Sequence, residues 1–260
     1  MKIQFVLWAY KTDRALVELN LQHFTQVRET LEKEKEIMVS VLVADDAAAP
    51  CFSSCKAALN AGADEWIVTE FDRGSRLDGK DALAGMLTTY AEIAARTNAP
   101  DWICQLDADT LVQHCGWIVE CENDVAIAGC GGDHTGCMFL YGPTIAVRAS
   151  VVPILVKLAE QDDVQARLNG GKVYTDRVIT GLARMSGLRE MMWRMPPLPV
   201  GRPVNAAKFY PFDVPNEAGL ELYSHLIFEK RSLPSQMSLE ERISTCAQAM
   251  KHYINEYGHN

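Results

Sequence analysis

The 260-residue chain carries 34 acidic and 25 basic side chains for a formal net charge of −9, with 48% hydrophobic and 23% charged residues; this is an ordinary globular composition with length for a sizeable core. The acidic balance counts against non-specific binding to nucleic acid or an anionic membrane, because such binders gain affinity by neutralising phosphates. No run reaches the roughly 18–20 apolar residues that span a bilayer, and the opening stretch Met1 to Trp8 is too short for a signal peptide, so a cytoplasmic location is expected.

In chain order, Ile3 to Tyr10 reads as a first strand, and Arg14 to Glu32 as a helix with the apolar stripe Val17, Leu21, Phe24, Val27 and Leu31, Thr12 or Asp13 serving as its cap. Ile37 to Ala44 is a second strand ending in Asp45-Asp46. A short helix from Phe52 to Ala61, a strand from Glu65 to Val68 and a helix from Asp81 to Arg96 follow, the last with Leu83, Met86, Leu87, Tyr90 and Ala94 on one face. The run from Trp102 to Leu106 then delivers Asp107-Ala108-Asp109. Strands are expected at Val125 to Ala128 and Thr144 to Val147, separated by a segment from Gly129 to Gly136 too rich in glycine for either regular element. Helices follow at Val151 to Glu160 and Asp176 to Met185, and the prolines between Met195 and Pro203 demand irregular chain. Ser238 and Glu241 form a capping box for a last helix striped by Leu239, Ile243, Cys246, Met250, Tyr253 and Tyr257, with Gly258 able to end it. Alternation of strands and helices implies a mainly parallel sheet covered on both faces.

Eight cysteines include no Cys-x-x-Cys pair, so reduced thiols are expected rather than disulfides or zinc. The best zinc candidate, from His114 and Cys115 through Cys121 and Cys130 to His134 and Cys137, has irregular gaps.

Asp107 and Asp109 are the most informative pair. On an extended chain, positions two apart share a face, so both carboxylates are expected to point the same way off a strand end. Paired carboxylates repel unless something positive lies between them, and a hard divalent cation, which prefers oxygen ligands and also binds diphosphates, fits that place.

The order of Asp45-Asp46, Gly79-Lys80 opening a helix, Leu106-Asp107-Ala108-Asp109, and Tyr174-Thr175-Asp176-Arg177 before a helix ending Arg184-Met185-Ser186-Gly187 resembles the nucleotide-sugar glycosyltransferases of the GT-A fold, closest to the family 2 type, over residues 1–190. The resemblance implies an α/β, Rossmann-like GT-A fold with a mainly parallel central sheet flanked by helices and a helical C-terminal extension. It implies one domain over 1–260, with a nucleotide-binding part (1–112), an acceptor-side part (113–230) and a C-terminal helix (231–260). It assigns Asp45 or Asp46 to the nucleobase or ribose, Lys80 to the diphosphate, and Asp107 to ribose or the metal. Asp109 becomes the principal ligand of Mn²⁺ or Mg²⁺, with His225 completing the site. Asp176 becomes the general base of an inverting reaction, although Thr175 stands where the family often has an acid. Each position also has a plain structural reading: a cap or turn for Asp45, Asp46 and Asp176, a solvated first-turn lysine for Lys80, and a packed strand histidine for His225.

Trp117, His134 and Tyr141 are candidates for an acceptor-facing wall, Lys230 and Arg231 for diphosphate contacts, and Trp193 with the proline-rich loop for a lid. The function implied is metal-dependent transfer of a sugar from a nucleotide diphosphate sugar to a hydroxyl acceptor. Two alternatives stand beside it: a sugar-nucleotide nucleotidyltransferase, disfavoured because Tyr10 to Arg14 holds no glycine-rich phosphate loop, and a non-catalytic sugar-nucleotide or carbohydrate-binding protein of the same fold.

Overall fold

A computed structural model of the chain describes residues 1–35, 37–69, 79–113, 115, 118, 121–134, 137–140, 145–169, 174–194, 225–228, 233–234 and 236–257. Its first strand, β1 (Lys2–Ala9), sends Ile3, Phe5, Leu7 and Ala9 to one face and Val6 and Trp8 to the other, all buried. A strand apolar on both sides belongs in the middle of a covered sheet. There it pairs in parallel with β2 (Met38–Asp46) and β4 (Trp102–Asp107), while β3 (Glu65–Thr69) lies parallel outside β2.

Beyond β4 the pairing changes. β8 (Ala146–Arg148) runs antiparallel to β4 and to β6 (Val125–His134), and β6 also pairs antiparallel with β7 (Cys137–Leu140) and parallel with β9 (Arg189–Arg194). The result is an eight-stranded mixed sheet in the order β3-β2-β1-β4-β8-β6-β7, with β9 joined to β6. Separately, β5 (Thr110–Val112) and β10 (His225–Ile227) form a two-stranded antiparallel ribbon.

Helices cover both faces. On one lie α1 (Arg14–Lys35), α2 (Cys55–Asn60) and the C-terminal α7 (Leu239–Tyr257), contributing Leu16, Phe24, Ala58, Cys246 and Met250 to the core. On the other lie α3 (Gly79–Ala94), α4 (Val152–Ala159), α5 (Asp162–Asn169) and α6 (Thr175–Met185), contributing Leu83, Leu155, Val164 and Ile179. The fold is thus the α/β class expected, with the helical C-terminal element in place. Its capping box is formed: Glu241 N donates to Ser238 Oγ at 3.1 Å and Ser238 N to Glu241 Oε2 at 2.6 Å. Gly258 lies outside the described residues. Among those described, no helix is long and apolar enough to cross a membrane.

Several local expectations are corrected. The glycine-rich stretch through His134 is strand, because β6 has ladder partners on both sides in β7 and β9 and pairing overrides weak intrinsic propensity. Trp193, a candidate lid residue, lies in β9, opposite Cys130. Thr12 and Asp13 belong to a 3-10 turn (Lys11–Asp13) that runs straight into α1, in place of an N-cap. α5 has no counterpart among the expected elements.

Candidate active site

Because β1, β2 and β4 are parallel, their C-terminal ends open on one edge of the sheet, with Ala9 opposite Asp45 and Trp8 opposite Asp107. Strand alternation then separates the two aspartates of β2. Asp46 continues the face of Leu42 and Ala44, and Asp107 continues the face of Ile103 and Gln105, so both belong to the side covered by α3, α4 and α6. Asp45 falls on the opposite side.

There Asp45 is fully buried and holds the chain that follows β2. Cys51 N donates to Oδ1 at 2.5 Å, and Phe52 N and Trp66 Nε1 donate to Oδ2 at 2.8 and 3.1 Å. Three donors satisfy a buried carboxylate and fix the entry to α2. Asp46 is also buried and accepts from Ala48 N at 2.8 Å, an Asx turn.

At the acidic tripeptide the strand pleat stops. β4 ends at Asp107, Ala108 and Asp109 form a turn, and β5 begins at Thr110. The direction of Asp109 is therefore set by the turn. Asp107 is half-buried and its Oδ1 accepts a long bond of 3.4 Å from Gln105 Nε2. Asp109 is 9% exposed, and its carbonyl accepts from Phe228 N at 2.8 Å. From beneath, Asn20 Nδ2 of α1 donates to the carbonyls of Asp107 at 3.3 Å and Thr110 at 2.5 Å. His23 Nε2, the nitrogen that must carry the proton, donates to Val112 O at 2.8 Å. Burial holds the His23 pKa below its ordinary value, with the bond to Val112 opposing. Asn20 and His23 were missed in the sequence because they interleave with the apolar stripe of α1; two polar residues at core-facing positions were the available signal.

Asp176 sits in the first turn of α6, where Tyr174 occupies the N-cap position without a side-chain cap bond. Its Oδ1 accepts from Arg177 N at 2.7 Å. Burial raises the Asp176 pKa above the ordinary value, the Arg177 N–H and charge oppose this, and the negative charge of Asp107 adds to the rise. The fold thus brings Asp176 and Asp107 into electrostatic reach of each other. Close by, Tyr90 is wholly buried; burial first, then the charges of Cys104 and Asp107, push its phenol pKa up. Tyr90 OH and Gln105 Oε1 are buried without a hydrogen-bond partner.

Lys80 is the second residue of α3, on the same side of the sheet as Asp107, and His225 pairs with Val112 across the ribbon that leaves the acidic turn. Their side chains lie outside the described structure, as does that of His134 on β6; Trp117, Tyr141, Lys230, Arg231 and the proline-rich loop from Met195 lie outside it altogether. Among the described residues no three or more His, Cys, Asp or Glu side chains are grouped to hold a metal ion. The donor set available near the turn is oxygen from Asp107 and Asp109, which fits Mg²⁺ or Mn²⁺ by chemistry. Burial pushes the Cys51 and Cys115 thiols up to about 12 and that of Cys104 well above its ordinary value, so these thiols are protonated in the metal-free chain.

No protein-family model matches the sequence, and no curated protein does. Among solved structures, the glycosyltransferase GlyE of Streptococcus pneumoniae TIGR4 is similar over 99% of this chain and 64% of that chain, with a TM-score of 0.50 at 10% identity. The chain therefore spans less than two thirds of GlyE. The galactosyltransferase LgtC, in complex with donor and acceptor sugar analogs, gives a TM-score of 0.44 at 15% identity over 70% of each chain. An active-site mutant of LgtC gives 0.40 at 16% identity, over 70% of this chain and 69% of that one. At such identities the likeness is one of fold.

Proposed function

We propose that this chain is a glycosyltransferase that moves a sugar, with inversion, from a nucleotide diphosphate sugar to an acceptor hydroxyl. The observation that carries the reading is the place of Asp107, at the end of β4 on the edge where the parallel strands end, with Asp176, in the first turn of α6, within reach of its charge. Ligands of open α/β sheets collect at that edge. Asp107 and Asp109 hold Mn²⁺ or Mg²⁺ in this reading, with His225 from the adjoining strand as a further ligand. When bound, the cation supplies positive charge that offsets the diphosphate charge growing as the sugar–phosphate bond breaks.

Asp176 accepts the acceptor's proton while the hydroxyl oxygen attacks the anomeric carbon and the nucleoside diphosphate departs. A carboxylate whose pKa is raised by burial is a stronger base than one in water, provided that it is ionised. Of the two aspartates closing β2, Asp46 shares the face of Asp107 and is assigned to the nucleobase or ribose, since Asp45 is committed to the backbone of Cys51 and Phe52. Lys80 is assigned to the diphosphate.

A thermal-shift panel of nucleoside diphosphates and nucleotide sugars, with and without Mn²⁺, tests the proposal. A ligand at 100 times its Kd stabilises the native state by about 2.7 kcal/mol, so at least one base should raise Tm only when the ion is present. A flat response across the panel overturns the assignment.

A further inference from the structure

We propose that Asn20 is a positioning residue for the acidic turn, clasping the carbonyls on either side of Ala108-Asp109 so that the carboxylates of Asp107 and Asp109 are held ready for the cation. This rests on the reading of those two residues as metal-holding. The two bonds come from one nitrogen: Nδ2 donates to Asp107 O at 3.3 Å and to Thr110 O at 2.5 Å. A primary amide on a single methylene is suited to this, since it offers two N–H donors from one compact atom.

Asn20 is 1% exposed and lies in a helix whose neighbouring core positions, Leu16, Val17, Leu21 and Phe24, are apolar. A buried amide at such a position costs stability unless its donors are used. Both bonds go to the strand ends that flank the turn, 87 and 90 residues away in sequence. One turn further along α1, His23 holds Val112 O, so the helix grips the chain on leaving β4 and again along β5. Contacts of this kind orient the groups that touch a metal without touching it themselves, and losing one typically costs about 10- to 100-fold in metal affinity.

The experiment compares wild type, Asn20→Ala and Val17→Ala, the last a core truncation on the same helix that leaves the turn untouched. Each is measured for Tm, for Mn²⁺-dependent binding of nucleoside diphosphates by calorimetry, and for amide hydrogen exchange without ligand. Asn20→Ala should weaken metal-dependent binding at least about 10-fold and speed exchange across residues 107–112. Val17→Ala should lower Tm without either change. Equal binding losses in the two variants, or unchanged exchange at 107–112 in Asn20→Ala, overturn the proposal. If Asn20→Ala does not fold, Asn20→Ser is judged by the same readings. Absence of metal-dependent binding by wild type would instead defeat the functional reading, and the exchange data would still decide whether Asn20 clasps the turn.

Discussion

Asp176 opens α6 within the field of Asp107, and that neighbouring charge joins burial in making the Asp176 carboxyl harder to ionise. The unfolded chain ionises near the ordinary value of 3.8 and the native chain at a higher pH, so between the two the native state binds more protons and stability falls as pH rises. Asp107→Asn in metal-free protein should move the Asp176 pKa down. Carbon-13 NMR titration of the Asp176 carboxyl reads this directly, and an unmoved midpoint would show that the two groups are not coupled.

Asp176→Asn should retain nucleotide-sugar affinity while transfer drops by about 10²–10⁴-fold, the scale of general base catalysis. Its hydrogen bond to Arg177 N can be kept by an amide oxygen, so the helix should still form. Near-normal turnover in a coupled assay would return Asp176 to a purely structural role.

Asp109→Asn should abolish Mn²⁺-dependent donor binding with the fold intact. The amide keeps the shape but loses the charge that attracts a hard cation, and the Phe228 contact is to the backbone carbonyl. Calorimetry with and without Mn²⁺ decides, and unchanged metal dependence would remove Asp109 from the site.

Asp45→Ala tests the other half of the Asp45-Asp46 pair. It removes the acceptor for Cys51 N, Phe52 N and Trp66 Nε1, which should cost on the order of 2 kcal/mol or more. Mn²⁺-dependent nucleotide affinity should survive in the folded fraction. Urea unfolding with calorimetry measures both, and a selective loss of affinity would move the nucleotide contact to Asp45.

Buried His23 has its pKa depressed from 6.5. As pH falls from that value through the lower native one, the unfolded chain takes up the proton first, so stability is lost toward acid. His23→Gln should flatten this slope between pH 7 and pH 5, as followed by chemical unfolding at several pH values; an unchanged slope would show that other groups carry it.

The parallel half of the sheet was legible because its strands are apolar on both faces and its helices carry clear stripes, as in β1 and α1. The acceptor side was not. Glycines between Gly129 and Gly132 argue for loop in isolation, and only the partners β7 and β9, distant in sequence, make them strand. At the site, the motif order picked out Asp107 and Asp176, and the charge of Asp107 reaches the Asp176 carboxyl in the fold. Alternation along an assumed strand misdescribed Asp109, because the ladder ends one residue after Leu106. Nor could spacing reveal Asn20 or His23, whose partners are backbone carbonyls almost ninety positions away.

The ribbon of β5 and β10 ties the acidic turn to a late part of the chain. β1 to β9 have all been made once residue 194 is synthesised, but His225, Leu226 and Ile227 pair with Val112, Leu111 and Thr110, and Phe228 supplies the N–H for Asp109 O. The C-terminal helix then locks this ribbon, with Gln113 donating to Tyr253 OH and the Cys246 thiol to Phe228 O. The acidic turn therefore draws its last support from residues synthesised well after the strands of the main sheet, and a product cut short after β9 lacks everything that braces that turn from the C-terminal side.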